Sequence, residues 1–174
     1  MKVLLHTCCA PCACHCALAL RDAGHDVTLF FSNANLAPEA EWQKRLDAVR
    51  TLATHDAFPL IVDTTSHADW LVTVATGREQ EPERGTRCDS CFRYSLSRTY
   101  EAVREKKFDA FTTSLTVSPH KLAERIFKIG LEISEATFLA IDFKKHDGFK
   151  HSLTRSGELG LYRQSYCGCE FSVR

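Results

Sequence analysis

The sequence lacks any apolar stretch long enough to cross a bilayer; runs such as Val27–Phe31 fall far short of the ~18–20 residues a spanning helix needs. It also lacks a secretory opening, because His6-Thr7-Cys8-Cys9 interrupts the chain after only three apolar residues behind Lys2. A cytoplasmic protein with no membrane partner is therefore expected. Net charge is absent too: 22 basic side chains balance 22 acidic ones, so the molecule as a whole is no electrostatic trap for nucleic acid. Neither G-x-G-x-x-G nor G-x-x-x-x-G-K-[ST] occurs, which removes the glycine-rich phosphate loops of dinucleotide and nucleotide binders. Internal repeats, low-complexity tracts and linkers are missing. With 44% apolar and 25% charged residues, disorder and collagen-like structure are excluded as well. The 174 residues fit one domain, 1–174. A core of that size buries roughly 70% of the unfolded surface, so disulfide staples are not needed.

Cysteine, by contrast, is abundant, with nine in the chain. In a reducing compartment such a count points to metal or redox chemistry more than to structural disulfides. Charge is also uneven: residues 84–107 hold seven basic side chains against Asp89, Glu101 and Glu105. Either a basic face or an ordinary solvated helix accounts for that excess.

The pattern of elements predicts an α/β fold. Lys2–His6 reads as a buried strand, Ala13–Ala23 as a helix stopped by Gly24, and Asp26–Phe31 as a second strand. A helix from Pro38 to His55 and a short strand Leu60–Val62 follow. Further on, Ser66–Thr76 reads as a short helix, and a long helix starts near Cys88 and runs to about Lys107. Phe108–Thr113 is a strand, Pro119–Ile129 a helix, Phe138–Ile141 a last strand and Phe149–Arg155 a last helix. This alternation argues for a single Rossmann-like domain with a mostly parallel sheet and helices on both faces.

In such sheets ligands bind at the carboxyl ends of the strands. Cys8, Cys9 and Cys12 lie in the first such turn, and Cys88 and Cys91 form a C-x-x-C at a helix start, where thiolates are favoured. If the fold joins the two groups, four or five thiolates suffice for tetrahedral zinc or an iron–sulfur cluster. Cys167-Gly168-Cys169 is a third candidate: a ligand pair, a redox pair or disulfide, or two buried thiols. Cys14 and Cys16, set inside the first helix, read as core filler. Three readings stand at this point: a redox metalloprotein, a structural zinc-binding protein acting on or with RNA, and a thiol–disulfide oxidoreductase.

Several stretches in order along nearly the whole chain resemble the QueH-type epoxyqueuosine reductases. They include Leu5-His6-Thr7-Cys8-Cys9-Ala10-Pro11-Cys12, Arg87-Cys88-Asp89-Ser90-Cys91-Phe92, Thr112–Lys121, Asp142-Phe143-Lys144-Lys145 and Tyr162-Arg163-Gln164-Ser165-Tyr166-Cys167-Gly168-Cys169. The resemblance implies a cobalamin-independent oxidoreductase that removes the epoxide oxygen of epoxyqueuosine at the tRNA wobble position, giving queuosine. It implies a 4Fe–4S cluster with an additional iron nearby. The matching ligand candidates are Cys8, Cys9, Cys88 and Cys91, with Cys12 as a further one; Asp89 is either a carboxylate ligand or a helix-terminus stabiliser. The reaction takes two electrons and two protons and releases water, so an external low-potential donor such as ferredoxin or flavodoxin is expected. Candidate proton donors are His6, His120 and Tyr166. An anticodon loop is read by aromatic stacking and by Lys or Arg on phosphates. Phe92, Arg93 and Tyr94, with Lys144, Lys145 and Lys150, have that chemistry.

Overall fold

The computed structural model describes residues 1–173. Four strands form one all-parallel sheet in the order β3-β2-β1-β4. They are β1 (Lys2–His6), β2 (Asp26–Phe31), β3 (Leu60–Val62) and β4 (Ala110–Thr113). The helices are α1 (Ala10–Asp22), α2 (Glu39–Asp56), α3 (His67–Trp70), α4 (Thr86–Lys106), α5 (Ala123–Ser134) and α6 (Gly148–Glu158). A π-helical turn, Leu71–Ala75, continues α3.

Side-chain alternation along β1 sorts the helices onto two faces. Val3 and Leu5 enter a core with Ala13, Ala17 and Leu20 of α1 and Leu46, Val49 and Leu52 of α2. Leu4 points the other way, into a core with Leu96 and Val103 of α4 and Ile126 and Ile129 of α5. Each such aliphatic side chain contributes about 1.5–3 kcal/mol by leaving water. Cys14 and Cys16 belong to the first core, as filler should. Burial pushes the Cys14 thiol up to about 11, and its S–H is spent on the Pro11 carbonyl at 3.2 Å. Among the described residues, no helix is long and apolar enough to cross a membrane.

Three expected elements shift. Helix α1 starts three residues early because Pro11, in the first turn, has no N–H to leave unpaired. Helix α5 starts late: Ser118–Lys121 closes a turn, with the Lys121 N–H on the Ser118 carbonyl, and the extended Leu122 precedes Ala123. The expected strand Phe138–Ile141 is corrected to a single bridge, Phe138 to Phe111, at the β4 edge. Strand β4 turns into a 3-10 helix (Ser114–Val117) directly after Thr113. The carbonyls of Leu139 and Ile141 therefore accept from the hydroxyls of Thr112 and Thr116, both at 2.8 Å, in place of a ladder.

After β1 the chain crosses to β2 on one side, and later reaches β4 on the other. The crevice above β1 and β4 is thus the topological switch point of the sheet, the place where open α/β folds bind ligands. Helix α4 is tied to the β3 end of the sheet by a bidentate pair of Arg98 with Asp63, at 3.0 and 3.1 Å. Burial pushes the Asp63 carboxyl up, but hydrogen bonds from Arg98, Thr65 and Ser32 outweigh it and bring the pKa down to about 2.

Candidate metal centre

Cys8 leaves the end of β1, Cys9 is the N-cap of α1 and Cys12 lies in its first turn. The three sulfurs lie within 4.8 Å of one another, with Cys8 and Cys9 at 3.8 Å. The turn is held from both neighbouring strands. Asn33, past β2, donates to the Thr7 carbonyl at 2.8 Å. Ser114, past β4, accepts from the Cys8 N–H at 3.2 Å and donates to the Cys8 sulfur at 3.4 Å.

One negative charge is easy to place here and a second is not. Hydrogen bonds from Cys12 and Cys8, aided by the Gln164 amide, hold the Cys9 thiol well below its ordinary pKa against the effect of burial. Cys12 is pushed well above it by those same two sulfurs and by burial. At Cys8 the bond with Cys12 works downward, but Cys9 and burial outweigh it and the pKa rises. The free N–H groups and dipole of α1 favour that single thiolate.

A second set of thiols faces the first. Cys88 sits in the first turn of α4, its sulfur accepting from the Arg84 N–H at 3.2 Å, and Cys91 follows one turn later. Glu81 fixes this helix start by accepting from the Thr86 hydroxyl and the Arg87 N–H, both at 2.6 Å. A recess of about 80 Å³ brings Cys88 and Cys91 together with Cys167 and Cys169. All nine cysteines are free thiols. Burial raises Cys88, Cys91 and Cys169 above the ordinary thiol range.

The C-terminal loop is positioned from α2. Arg45, 2% exposed, is paired with Glu41 at 2.7 Å and donates to the carbonyls of Cys167 at 2.8 Å and Tyr166 at 3.1 Å. Gly168 has φ +142°, and a Cβ there would collide with Leu36 and crowd Arg45, so glycine is required between the two cysteines.

Both sets open on one cleft of about 710 Å³, lined by Cys8, Cys12, Cys91 and Cys167. Lys121 lines it as well. Burial opposes the charge on Lys121, but the facing thiols Cys167, Cys8, Cys12 and Cys9 outweigh it and lift its pKa above the ordinary lysine range. Arg84, Arg163, Phe92 and Phe149 also line the cleft, giving it cations and aromatic faces.

The expected proton donors occupy different situations. His6 is buried, which lowers its pKa, and both ring nitrogens are engaged: Nε2 with the Ser32 carbonyl at 3.2 Å and Nδ1 with the Thr113 hydroxyl at 2.8 Å. A carbonyl only accepts, so Nε2 carries the proton. The Tyr166 hydroxyl donates to the Ala37 carbonyl at 2.6 Å. His120 is exposed on the cleft. Asp89 pairs with Arg125 through one oxygen, while its Oδ1 is buried with no partner among the described residues.

Of the expected tRNA contacts, Arg93 pairs with Glu132 on the exposed surface of α4 and α5. Lys144 turns inward, donating to the Thr116 carbonyl at 2.9 Å, whereas Lys145 and Lys150 are exposed. Two of the seven basic side chains over 84–107 are used internally, while Arg104, Lys106 and Lys107 are exposed. Arg87 is buried on the carbonyls of Arg78 and Glu81 at 2.6 and 2.7 Å, and Arg98 is paired with Asp63. Sequence reasoning passed over Lys121, Ser114, Gln164 and Arg45. Ser114 had a signal, being next to the carboxyl end of a strand; for Arg45 the sequence shows only the i,i+4 pair with Glu41, since the carbonyls it holds lie more than 120 residues away.

The family profile described as epoxyqueuosine reductase QueH matches residues 3–174. The epoxyqueuosine reductase QueH of Streptococcus pyogenes serotype M1 is 34% identical over 183 residues, spanning 99% of this chain and 71% of that one. That of Thermotoga maritima is 35% identical over 179 residues, spanning 98% and 90%. In fold, the chain is similar to the U34-tRNA thiolase NcsA from Methanococcus maripaludis, solved with its [4Fe-4S] cluster, at a TM-score of 0.61 and 12% identity over 100% of this chain and 62% of that one. It is also similar to a predicted subunit of tRNA methyltransferase from Methanocaldococcus jannaschii, at a TM-score of 0.57 and 11% identity, covering 88% and 76%. The profile spans nearly the whole chain and the curated relatives share about a third of its residues: the chain belongs to the QueH family of epoxyqueuosine reductases.

Proposed function

We propose that the epoxide of epoxyqueuosine in tRNA is reduced in the cleft above β1 and β4, at an iron–sulfur centre held by Cys8, Cys9 and Cys12. An additional iron would be held by Cys88 and Cys91, with Cys167 and Cys169 as further thiols, and the activity is carried by the single α/β domain of residues 1–174. The observation that carries this reading is the convergence of three sulfurs within 4.8 Å at the switch point, facing a second thiol set across one cleft.

The donor set fits such a centre. Cys9 ionises readily, but Cys8 and Cys12 are held back by its charge, and Lys121 is a single cation. Further thiolates require added positive charge, which iron supplies. Three thiolates also leave a four-iron cluster one protein ligand short of four. The fold relative NcsA combines a similar architecture with a [4Fe-4S] cluster.

The centre, when bound, would supply the two electrons of a deoxygenation in which both C–O bonds of the epoxide break and a carbon–carbon double bond forms; the chain supplies the surroundings. Lys121 Nζ is the ammonium facing the thiols and stabilises negative charge on the departing oxygen, which leaves as water after two protons are added. His120, on the exposed side, relays protons from solvent. His6 and Tyr166 hold the turn and the C-terminal loop in place through the bonds already described. Arg84 and Arg163 meet the phosphates of the anticodon loop, and Phe92 and Phe149 offer stacking faces for unpaired bases. Electrons enter from a low-potential carrier of the ferredoxin or flavodoxin class, without cobalamin.

The test uses protein purified without oxygen. Absorbance from 300 to 700 nm, with iron, sulfide and zinc measured on the same sample, is followed by single-turnover reduction of epoxyqueuosine in tRNA. A brown protein with about four or more irons per chain, active only when loaded, is the expected result. A colourless protein with one zinc, and no cluster after reconstitution, overturns the reading.

A further inference from the structure

Trp70 ends α3, immediately before the π-helical turn, and is 1% exposed. Its ring stacks on His67 at 5.5 Å and leans on Phe171 at 6.4 Å, while Cys91, Tyr94 and Cys169 pack around it. The indole N–H is buried, and among the described residues no nitrogen or oxygen accepts it. An unsatisfied buried donor is costly, and phenylalanine would fill the same aromatic nest without that cost. Cys91 packs on this indole and shares a recess with it, and its sulfur is the polar group the N–H interacts with, without a full hydrogen bond. A neutral thiol is a weak acceptor, whereas a sulfur carrying negative charge is a strong one. A Cys91 sulfur carrying negative charge, as in a metal-bound thiolate, would satisfy the donor.

We propose that Trp70 is a positioning residue of the metal centre: its indole N–H donates to the Cys91 sulfur in the loaded enzyme, orienting that ligand and raising the reduction potential. This rests on the placement of Cys91 among the iron ligands. A hydrogen bond to a ligand sulfur draws negative charge away from the metal and so favours the reduced state. Neighbours of ligands act in this way without touching substrate. The π turn directly behind Trp70 is a feature often found where a helix has been adjusted for a site.

The experiment replaces the indole by 3-(3-benzothienyl)alanine, which keeps the shape and removes the N–H, in a Trp42→Phe background, with Trp70→Phe made in parallel. After reconstitution with iron and sulfide, the midpoint potential is titrated optically. Iron content is expected to be retained. The reduced-to-oxidised ratio at fixed potential should fall roughly three- to tenfold, tenfold being about 59 mV for one electron. Loaded protein whose potential is unchanged overturns the proposal.

A second readout needs no iron. In ¹⁵N-tryptophan protein loaded with zinc, the Trp70 indole proton should move downfield, and Cys91→Ala should abolish the movement. Zinc that protects Cys91 from alkylation yet leaves the indole resonance in place overturns the proposal alone. Cys91 that stays fully reactive in both iron- and zinc-loaded protein overturns the metal reading of that residue, and this proposal with it.

Discussion

The two thiol sets are built in opposite ways. Cys8, Cys9 and Cys12 come from one short segment, placed by the end of β1 and the start of α1. Cys88, Cys91, Cys167 and Cys169 come from segments about 75 residues apart, joined through buried side chains of α2 and α4. The first set inherits its geometry from backbone rules. The second depends on Arg45, Arg87 and Trp70, each buried and each committed to one arrangement. A site of the first kind is hard to disturb except by removing its ligands; one of the second kind can be disturbed from a distance.

Removing a ligand should have the largest effect. Cys12→Ser is expected to lose bound iron and sulfide and to lower turnover by at least ~100-fold, more than loss of a residue that merely supports a ligand. Cys14→Ala, two residues on, should keep full iron content and cost only about 1–2 kcal/mol in urea unfolding. Equal loss of iron in both variants would erase the distinction between ligand and filler.

Arg45→Met tests action from a distance. It leaves Glu41 charged and buried, with only Tyr162 on it at 2.7 Å, and should destabilise the fold by about 3–5 kcal/mol. Cys167 should then be alkylated faster than in the parent, while Cys9 keeps its rate. Arg45→Lys returns the charge but not the fork and should recover only part of the effect. Alkylation followed by mass spectrometry, alongside a denaturation curve, reads both.

Next comes the anchor of α4. Asp63→Asn should cost about 1–3 kcal/mol near neutral pH. In the parent, the Asp63 pKa is about 2, against ~3.9 in the unfolded chain. Its stabilisation is therefore present above pH ~4 and lost as the pH falls from there towards 2. Acid unfolding of the two proteins should converge in that window; a constant gap between them would remove Asp63 as the cause.

The smallest effects belong to the RNA contacts. Arg163→Glu, in the cleft, should weaken tRNA binding about tenfold and reduce the salt slope by about 1. Lys145→Glu, exposed but not lining the cleft, should change affinity by no more than about twofold. The reverse order, read by filter binding at several salt concentrations, would move the anticodon arm towards Lys145.

Much of the fold was legible because strand β1, the helical apolar spacing of α2 and the helix end before Gly24 are local signals. Phe138–Ile141 misled because a short apolar run looks like a strand whether or not a ladder is available to it. Whether β4 extends far enough to pair with it depends on the turn at Ser114. In the site, the N-terminal cysteines stood out because their spacing lies within one turn. The positive excess over 84–107 did not reveal that Arg87 and Arg98 are consumed by carbonyls and a carboxylate of other segments.

By itself, then, the sequence determined the α/β alternation, the presence of a thiol turn after the first strand and the family to which the motifs belong. These follow from backbone preferences and from residues adjacent in the chain. Only the tertiary structure decided that Cys88 and Cys91 meet Cys167 and Cys169, that this set shares a cleft with the N-terminal one, and that Lys121 faces both. Those pairings depend on which strand lies beside β1 and on which buried arginine finds which carbonyl. Such contacts have no local signature, because burial and hydrogen-bond satisfaction are settled only when the whole chain is packed.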